Sequence, residues 1–410
     1  MNLVFFLLVL SAFATAAAAE WSGAAGAMAA LSDATLKAAE GAVPLALGLV
    51  GVMALFLGLM KVAEAGGLLS AIARLLAPAL TRLFPEVPAG HPALGAMSLN
   101  IAANMLGLGN AATPFGIRAM EQLETLNPRP GTATNAQVLF LAINTASVTL
   151  LPTSVIALRA SAGSADPAAV VAPTLIATLA STVVAIAAAR LLQGRADPRP
   201  PPAEPSCAGP APYPGWVGLA ALLAVLALVP VTIVWGRTLG PWIVPALAVG
   251  LLGYGVARKV RVYEAFVEGA AEGFAIAVRI IPYLVAILVA VGMLRASGAM
   301  AMAVEPLARL LAPLGVPAEA LTLAAMRSLS GSGSFGLLAA YMKDPAIGPD
   351  SATGILLGTL YGSSETTFYV LAVYFGAVGI RRFRHALAAG LLADAAGLAA
   401  AVAICAVLFA

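Results

Sequence analysis

The chain has 410 residues, 61% of them hydrophobic and 10% charged, with a net charge of +3. A soluble domain carries roughly a quarter charged residues, so this composition excludes a soluble multidomain enzyme and defines a polytopic membrane protein. The 22 Lys and Arg are scattered along the chain instead of clustering with aromatics, which gives nucleic acid no footing.

In chain order, the apolar run 1–19 reads as a retained transmembrane helix, since a secretory signal opens with basic residues and none precedes Lys37. Residues 31–41 (LSDATLKAAEG) read as a short interfacial helix, and 42–60 as a membrane span ended by Lys61 and Glu64. A second amphipathic piece covers 66–84 and closes at Pro85. Within SLNIAANMLGLGNAATPFGIRAM (98–120), helices are expected over 94–106 and 114–126, with Gly107, Gly109 and Pro114 stopping and restarting the chain. The result is a re-entrant hairpin. Non-helical backbone at membrane depth must be buried in protein or face a wet cavity, because each unpaired amide in lipid costs about several kcal/mol.

Residues 135–158 carry a polar stripe and Pro152, so a discontinuous helix is expected, followed by a plain span at 168–189. The stretch 190–214 is too rich in proline for anything but an extended spacer. Further spans are expected at 216–235 and 241–257, before the basic cluster Arg258, Lys259 and Arg261. The pattern then restarts. Ala39-Glu40-Gly41 matches Ala271-Glu272-Gly273, Gly66 matches Gly298, and RLLAP recurs at 74–78 and 309–313. A Gly/Ser loop at 328–336 stands where GLGNAATPFG stood, and YGSSETTFYVLAVYF (361–375) stands where TASVTLLPTSVIALR (145–159) stood.

The expected domains are a first repeat over 1–193, a linker over 194–215, an additional helix over 216–240 and a second repeat over 241–410. With the amino terminus in the cytoplasm, loops falling inside hold 14 Lys and Arg and those outside hold 7, as the positive-inside rule requires. The two repeats are then inverted, and the expected fold is all-α with re-entrant hairpins and broken helices. That is the architecture of secondary transporters, whose sites lie where the breaks meet.

The candidate substrate-binding residues follow from this. Asn100 and Asn104 share one helical face pointing toward Asn110 and Thr113. Asn144 and Ser147 repeat the logic on the next helix, and Ser330, Ser332 and Ser334 offer hydroxyls in the second hairpin. Ser363, Ser364, Glu365 and Thr366 interrupt a long apolar stretch from Ile355 to Val378. A carboxylate there is functional by default. Glu365 has three candidate roles: a proton carrier, a Na⁺ ligand with neighbouring hydroxyls, or a contact for a cationic or hydroxylated solute. A fourth reading makes it a salt bridge to Arg327 or Arg279 that holds the bundle together. No nucleophile elbow, metal-ligand cluster or phosphate loop is present, so neither an enzyme nor ATP-driven transport by this chain alone is expected. No cofactor or metal is expected beyond a coupling Na⁺ or proton at Glu365. Expected partners are membrane lipids and a small polar solute, and a homo-oligomer is compatible with the chain.

Residues 100–128 (NIAANMLGLGNAATPFGIRAMEQLETLNP) and 140–159 (FLAINTASVTLLPTSVIALR) resemble the spore maturation protein A family. YEAFVEGAAEGF, RIIPYLVAILVAVGMLRASGAM, GPDS and the run 362–397 resemble spore maturation protein B, so two membrane proteins look fused. Both families are grouped with the nucleoside-recognition, or Gate, proteins. The resemblance implies a bacterial inner-membrane protein with a fold like that of concentrative nucleoside transporters. It also implies Asn104, Asn110, Ser332, Ser363 and Glu365 as pore or site residues. Its other implication is a non-transporting scaffold or regulator of envelope or spore-cortex maturation.

Overall fold

The computed structural model describes residues 2–88, 90–107, 112–194, 244–311 and 315–409, with isolated positions between 213 and 242 and at 313. Helices are the only extended regular structure among them, as lipid demands of a chain that must satisfy its own backbone. The first series is α1 (Asn2–Trp21), α2 (Ala27–Ala65), α3 (Leu68–Leu83), α4 (Pro92–Met105), α5 (Thr113–Glu124), α6 (Asn135–Ala146), α7 (Thr153–Ser161) and α8 (Val171–Leu192). After α9 (Val244–Ala257) come α10 (Val262–Ala296), α11 (Ala299–Leu311), α12 (Ala318–Leu329), α13 (Gly331–Lys343), α14 (Ala352–Gly362), α15 (Thr367–Val370, continued by a π turn over Leu371–Phe375) and α16 (Ala386–Phe409).

The order of α2 to α8 returns in α10 to α16: a long helix, a short amphipathic one, a two-helix hairpin, a broken helix and a closing helix. Two pairs that correspond in this order, α2 with α10 and α8 with α16, pack antiparallel. Along α2 and α10, Gly58 meets Phe266, Gly269 meets Leu57, Gly273 meets Ala54 and Gly292 meets Ala34 and Ala38. The small residues of G269-x-x-x-G273 let the backbones approach: a Cβ on Gly269 would lie 2.5 Å from the Leu57 carbonyl. On α8 and α16, Ser181 Oγ donates to the Ala393 carbonyl at 2.8 Å and His385 lies 3.1 Å from the Ala189 carbonyl.

The broken helices α6–α7 and α14–α15 also run antiparallel, and loops tie them at both ends. Ala133 N–H donates to the Arg382 carbonyl, and Arg381 and Arg382 donate to the Gly131 carbonyl, each at 3.0 Å. At the opposite end Arg159, fully buried, donates to the carbonyls of Asp166 and Pro349 and to Ser164, and pairs with Asp350 at 3.1 Å. The apolar packing divides the same helices. One cluster joins α4, α5 and α6 to α15 through Met97, Met120, Phe140 and Phe375. Another joins α7 to α12, α13 and α14 through Leu158, Leu323, Phe335 and Leu357. Each broken helix therefore has its break between two packed bodies.

Among the described residues, Pro167–Leu192 and Ala386–Phe409 are each long and apolar enough to cross a membrane, and Val50–Ala65 with Leu68–Leu83, bent by 68°, together form a broken span or a re-entrant loop. The expected separate helix at 31–41 is absent: α2 runs unbroken for 39 residues through Gly41 and Pro44, because its alanine-rich sequence favours helix and a proline there forfeits a single internal hydrogen bond. The Gly/Ser loop expected over 328–336 is also corrected. The break is confined to Ser330, whose Oγ accepts from Gly333 N–H at 3.1 Å and restarts the helix at once. Most of the 190–214 spacer and of the 216–235 span lies outside the described residues.

Local chemistry sets the helix starts near the breaks. Thr134 and Gln137 form a reciprocal capping box on α6, Ser351 caps α14 through Gly354 N–H at 2.9 Å, and His91 Nδ1 accepts from Ala93 N–H at 3.2 Å to cap α4. Burial holds the His91 imidazole below its ordinary value of 6.5, and its cap requires an unprotonated Nδ1. A depressed histidine contributes stability that is present above the unfolded value and lost as pH falls through the lower folded one. Thermal unfolding in detergent is therefore expected to show a loss of about 1 kcal/mol between pH 7 and 5, absent from His91→Asn, whose side chain caps at either pH. Equal acid sensitivity in both proteins would remove His91 as the cause.

Candidate functional site

The sequence breaks α6 where Thr145-Ala-Ser-Val-Thr-Leu-Leu-Pro152 exchanges helix formers for β-branched residues and a proline. Ser147 ends the helix in the left-handed region at φ 23°. The second break spans 363–366. The two breaks meet backbone to backbone: Glu365 N–H donates to the Thr145 carbonyl at 2.7 Å, and a Cβ on Gly362 would lie 3.5 Å from Pro152 Cβ.

Each hairpin tip docks on the break of its own half. In the first half, Leu150 N–H donates to the Met105 carbonyl at 2.9 Å and Thr153 Oγ1 to the Gly107 carbonyl at 3.3 Å. Gly107 has φ +71°, and a Cβ there would come within 2.2 Å of the Leu151 carbonyl oxygen, so only glycine fits. In the second half the dock is a buried guanidinium. Arg327 donates through Nε to the Tyr361 carbonyl at 3.1 Å, through Nη1 to Thr366 Oγ1 at 3.0 Å and through Nη2 to the Ser364 carbonyl. It pairs with Glu365 at 3.4 Å and stacks 4.4 Å over the Tyr361 ring. These bonds satisfy carbonyls that the break removes from the helix ladder.

The amides form a chain across the two halves. Tyr374 Oη accepts from Asn100 Nδ2 at 3.2 Å and donates to Asn144 Oδ1 at 3.4 Å, which also accepts from Asn104 Nδ2 at 3.0 Å. Asn144 Nδ2 donates to the Phe140 carbonyl at 2.9 Å and Asn100 Nδ2 to the Ala112 carbonyl at 2.9 Å. Both polar atoms of Asn144 are thus committed, whereas buried Asn100 Oδ1 has no partner among the described residues. Phe140 stacks on Tyr374 at 6.2 Å.

Of the expected site residues, Asn100, Asn104 and Asn144 lie in one hydrogen-bonded chain, joined by a Tyr374 that pattern reading passed over. Asn110 lies outside the described residues. Thr113 opens α5 partly buried. Ser147 is buried and its carbonyl accepts from Thr149 Oγ1 at 3.1 Å. Ser330 caps α13, Ser334 Oγ donates to the Gly331 carbonyl and Ser363 Oγ to the Leu360 carbonyl, so these hydroxyls are turned to their own backbone. Ser332 is exposed. Ser364 and Thr366 are buried against Arg327. Glu365, expected to be buried, keeps 43% of its side chain exposed while paired with Arg327, because the break carries it out of the helix wall. The Arg279 side chain lies outside the described residues.

Pattern reading also missed Asp394, in α16, whose Oδ2 accepts from Ser328 Oγ and Thr367 Oγ1 at 2.7 Å each. The signal was available: it is the single charged residue of a 24-residue apolar helix.

The Gate family, described as nucleoside recognition, has a family model that matches residues 46–162 and 277–381. The chain belongs to this family. The two Gate segments contain the two hairpins and both breaks. Spore maturation protein A of Bacillus subtilis is 45% identical over 156 residues, covering 38% of this chain and 80% of that protein. Spore maturation protein B of the same organism is 45% identical over 170 residues, covering 40% of this chain and 92% of that protein. One Gate chain here combines relatives of two separate proteins.

The amide chain should be sensitive to crowding from α5. A Cβ on Gly116 would lie 2.2 Å from Tyr374 Oη and 2.3 Å from its Cζ. Gly116→Ala is therefore expected to cost about 1–3 kcal/mol by overpacking. In a double-mutant cycle with Tyr374→Ala most of that cost should vanish; simple additivity would mean that the clash is absorbed elsewhere.

Proposed function

We propose that this Gate protein is a secondary transporter of the bacterial inner membrane, with its amino terminus in the cytoplasm, that moves a small polar, nucleoside-like solute through a site where the two breaks meet. The observation that carries this reading is the meeting itself: two interrupted helices joined at Glu365 and Thr145, each with a hairpin tip docked on it. Interrupted helices paired in this way suit alternating access, since transporter sites form near mid-membrane where such breaks meet. In this reading 1–193 and 241–410 are inverted repeats of a fold like that of concentrative nucleoside transporters, 194–215 links them, and an added helix over 216–240 turns the second half over.

The antiparallel pairing of equivalent helices supports inversion. So does the pairing of loops: 131–133 with 381–382, which the charge count places inside, and 159–167 with 349–350, which it places outside. Cysteines at Arg129 and Arg381 are expected to react with an impermeant reagent from the cytoplasmic side, and cysteines at Ala165 and Lys343 from the other side. Shared sidedness of all four would end the inverted arrangement.

Glu365 is the natural contact for ribose-like hydroxyls, being charged and half-exposed, and Asn104, Thr113 and Ser332 are partly or fully accessible around the same docks. The remaining amides and hydroxyls shape the walls. The test is a thermal-shift screen of the purified full chain against nucleosides, amino acids and small anions, beside Glu365→Gln. A ligand at a hundred times its Kd should stabilise by about 2.7 kcal/mol, and the shift should disappear in Glu365→Gln. The internal commitment of Asn144, Ser334 and Ser363 favours one alternative, a non-transporting scaffold for envelope maturation, and silence across the panel with a folded protein would support it.

A further inference from the structure

Asp394 is the buried acid that the solute site leaves unused. Its Oδ2 takes both hydroxyl bonds, while Oδ1 is buried with no partner among the described residues. The donors belong to two different devices. Ser328 is in the last turn of α12, two residues before the hairpin break at Ser330, and Thr367 opens α15 immediately after the break at 363–366. Asp394 itself stands on α16, which is packed against α8 and α6. One carboxyl group thus ties the hairpin tip and the broken helix to the closing helix.

No cation is paired with it among the described residues. Arg327, the neighbouring charge on α12, is spent on Tyr361, Ser364, Thr366 and Glu365. The other ionisable residue of α12, Glu319, lies in its first turn. α6 has no ionisable residue, α14 has Tyr361, α15 with its π turn has Tyr369 and Tyr374, and α8 has only Arg190, in its last turn and bonded to the Leu83 carbonyl. A charged carboxylate with a bare oxygen is costly in such surroundings. The neutral acid fits the geometry: Oδ2 serves as the carbonyl oxygen accepting both O–H groups, and Oδ1 carries the hydrogen. Hard cations gather about six oxygens, whereas one carboxyl group and the hydroxyls of Ser328, Thr367 and Ser364 converge here.

We propose that Asp394 is a proton-binding site and, resting on the transport reading above, the residue through which a proton gradient acts on the second hairpin. With the proton on Oδ1, Ser328 and Thr367 are held as observed. Release of that proton to water leaves a carboxylate that needs further donors, and the hairpin tip and the α15 end must shift to supply them or admit water.

The first test is infrared spectroscopy of the full chain in lipid nanodiscs, without solute, using carboxyl-labelled aspartate. A protonated-acid C=O band is expected at neutral pH. It should shift with the label and in D2O, disappear in Asp394→Asn, and change frequency in Ser328→Ala, which keeps the acid. Absence of the band from the wild type, or its survival in Asp394→Asn, overturns the proton site. The second test is the labelling rate of Ser332→Cys, on the exposed side of the hairpin tip. It should change severalfold across the pH range in which the band is lost, and be flat in the Asp394→Asn background. A rate that follows Na⁺ instead of pH, or that loses its pH dependence in Glu365→Gln and keeps it in Asp394→Asn, overturns the coupling role. Neither readout needs a solute, so failure of the transport reading shows separately, as an absence of solute binding.

Discussion

Replacing Arg327 by Met is expected to destabilise the protein by about 3–5 kcal/mol, in the range for breaking a buried charged network. The side chain is 7% exposed and serves two carbonyls, a hydroxyl and a carboxylate at once. Glu365, at 43% exposed, can recover some solvation when its partner leaves, so the main loss is the stranding of the Tyr361 and Ser364 carbonyls in a break with no helical donors. Each stranded group costs about 1–3 kcal/mol. Arg327→Lys is expected to recover less than half, because an ammonium lacks the planar fork that reaches several acceptors on two sides. Glu365→Gln should cost under about 1 kcal/mol, as expected for a partly exposed pair. Chemical unfolding in detergent measures all three, and near-equal effects of Arg327→Met and Glu365→Gln would show that the ion pair, and not the carbonyl clamp, holds the break.

Arg159→Met should cost a similar amount at the other end of the crossing. Among the described residues Arg159 is the largest fully buried side chain, and its guanidinium binds the carbonyls of Asp166, Pro167 and Pro349, Ser164 Oγ and Asp350. Methionine fills the apolar stem but leaves these acceptors facing one another, an expected loss of about 3–5 kcal/mol. Burial works against the charge of Asp350, yet Ser164 Oγ, Ala165 N–H and Arg159 outweigh it and hold the carboxyl below its ordinary 3.8. A carboxyl depressed on folding contributes stability that is present above its unfolded value and lost as pH falls through the folded one. The wild type should therefore weaken below about pH 4, and Asp350→Asn should weaken less. A cost under about 1 kcal/mol for Arg159→Met would place this crossing among ordinary surface ion pairs.

The elements most readable from sequence were those that break local rules. Two asparagines four apart in an apolar helix, a proline after a polar stripe, and Ser-Ser-Glu-Thr-Thr inside a hydrophobic run all violate lipid's demand for silent side chains, and the first hairpin and both breaks fall where these violations stand. Features that depend on the crossing of the two halves were not readable. Tyr374 looks like one aromatic among many until α15 brings it against Asn100 and Asn144, more than 200 residues away in the chain. Nothing around Arg159 in the chain marks it as fully buried, because Pro349 and Asp350 among its acceptors come from the other half. The glycines of 328–336 suggested a loose loop. Gly331 instead makes room, since a Cβ there would lie 2.9 Å from Thr366 Oγ1 and 3.3 Å from Arg327 Nη1. Asp394 was legible and passed over, for the same reason that makes Glu365 conspicuous: a carboxylate beside a break draws the eye from one on an unbroken helix.

The most direct test of a solute path between the breaks is counterflow into proteoliposomes preloaded with unlabelled nucleoside and given trace labelled nucleoside outside. The wild type is expected to accumulate label transiently, Glu365→Gln to lose at least tenfold in rate, and Gly116→Ala, which leaves the carboxylate in place, to lose less. Uptake no greater than in empty liposomes, from protein shown to be folded by its unfolding transition, would contradict transport of nucleosides and leave the breaks as features of a scaffold.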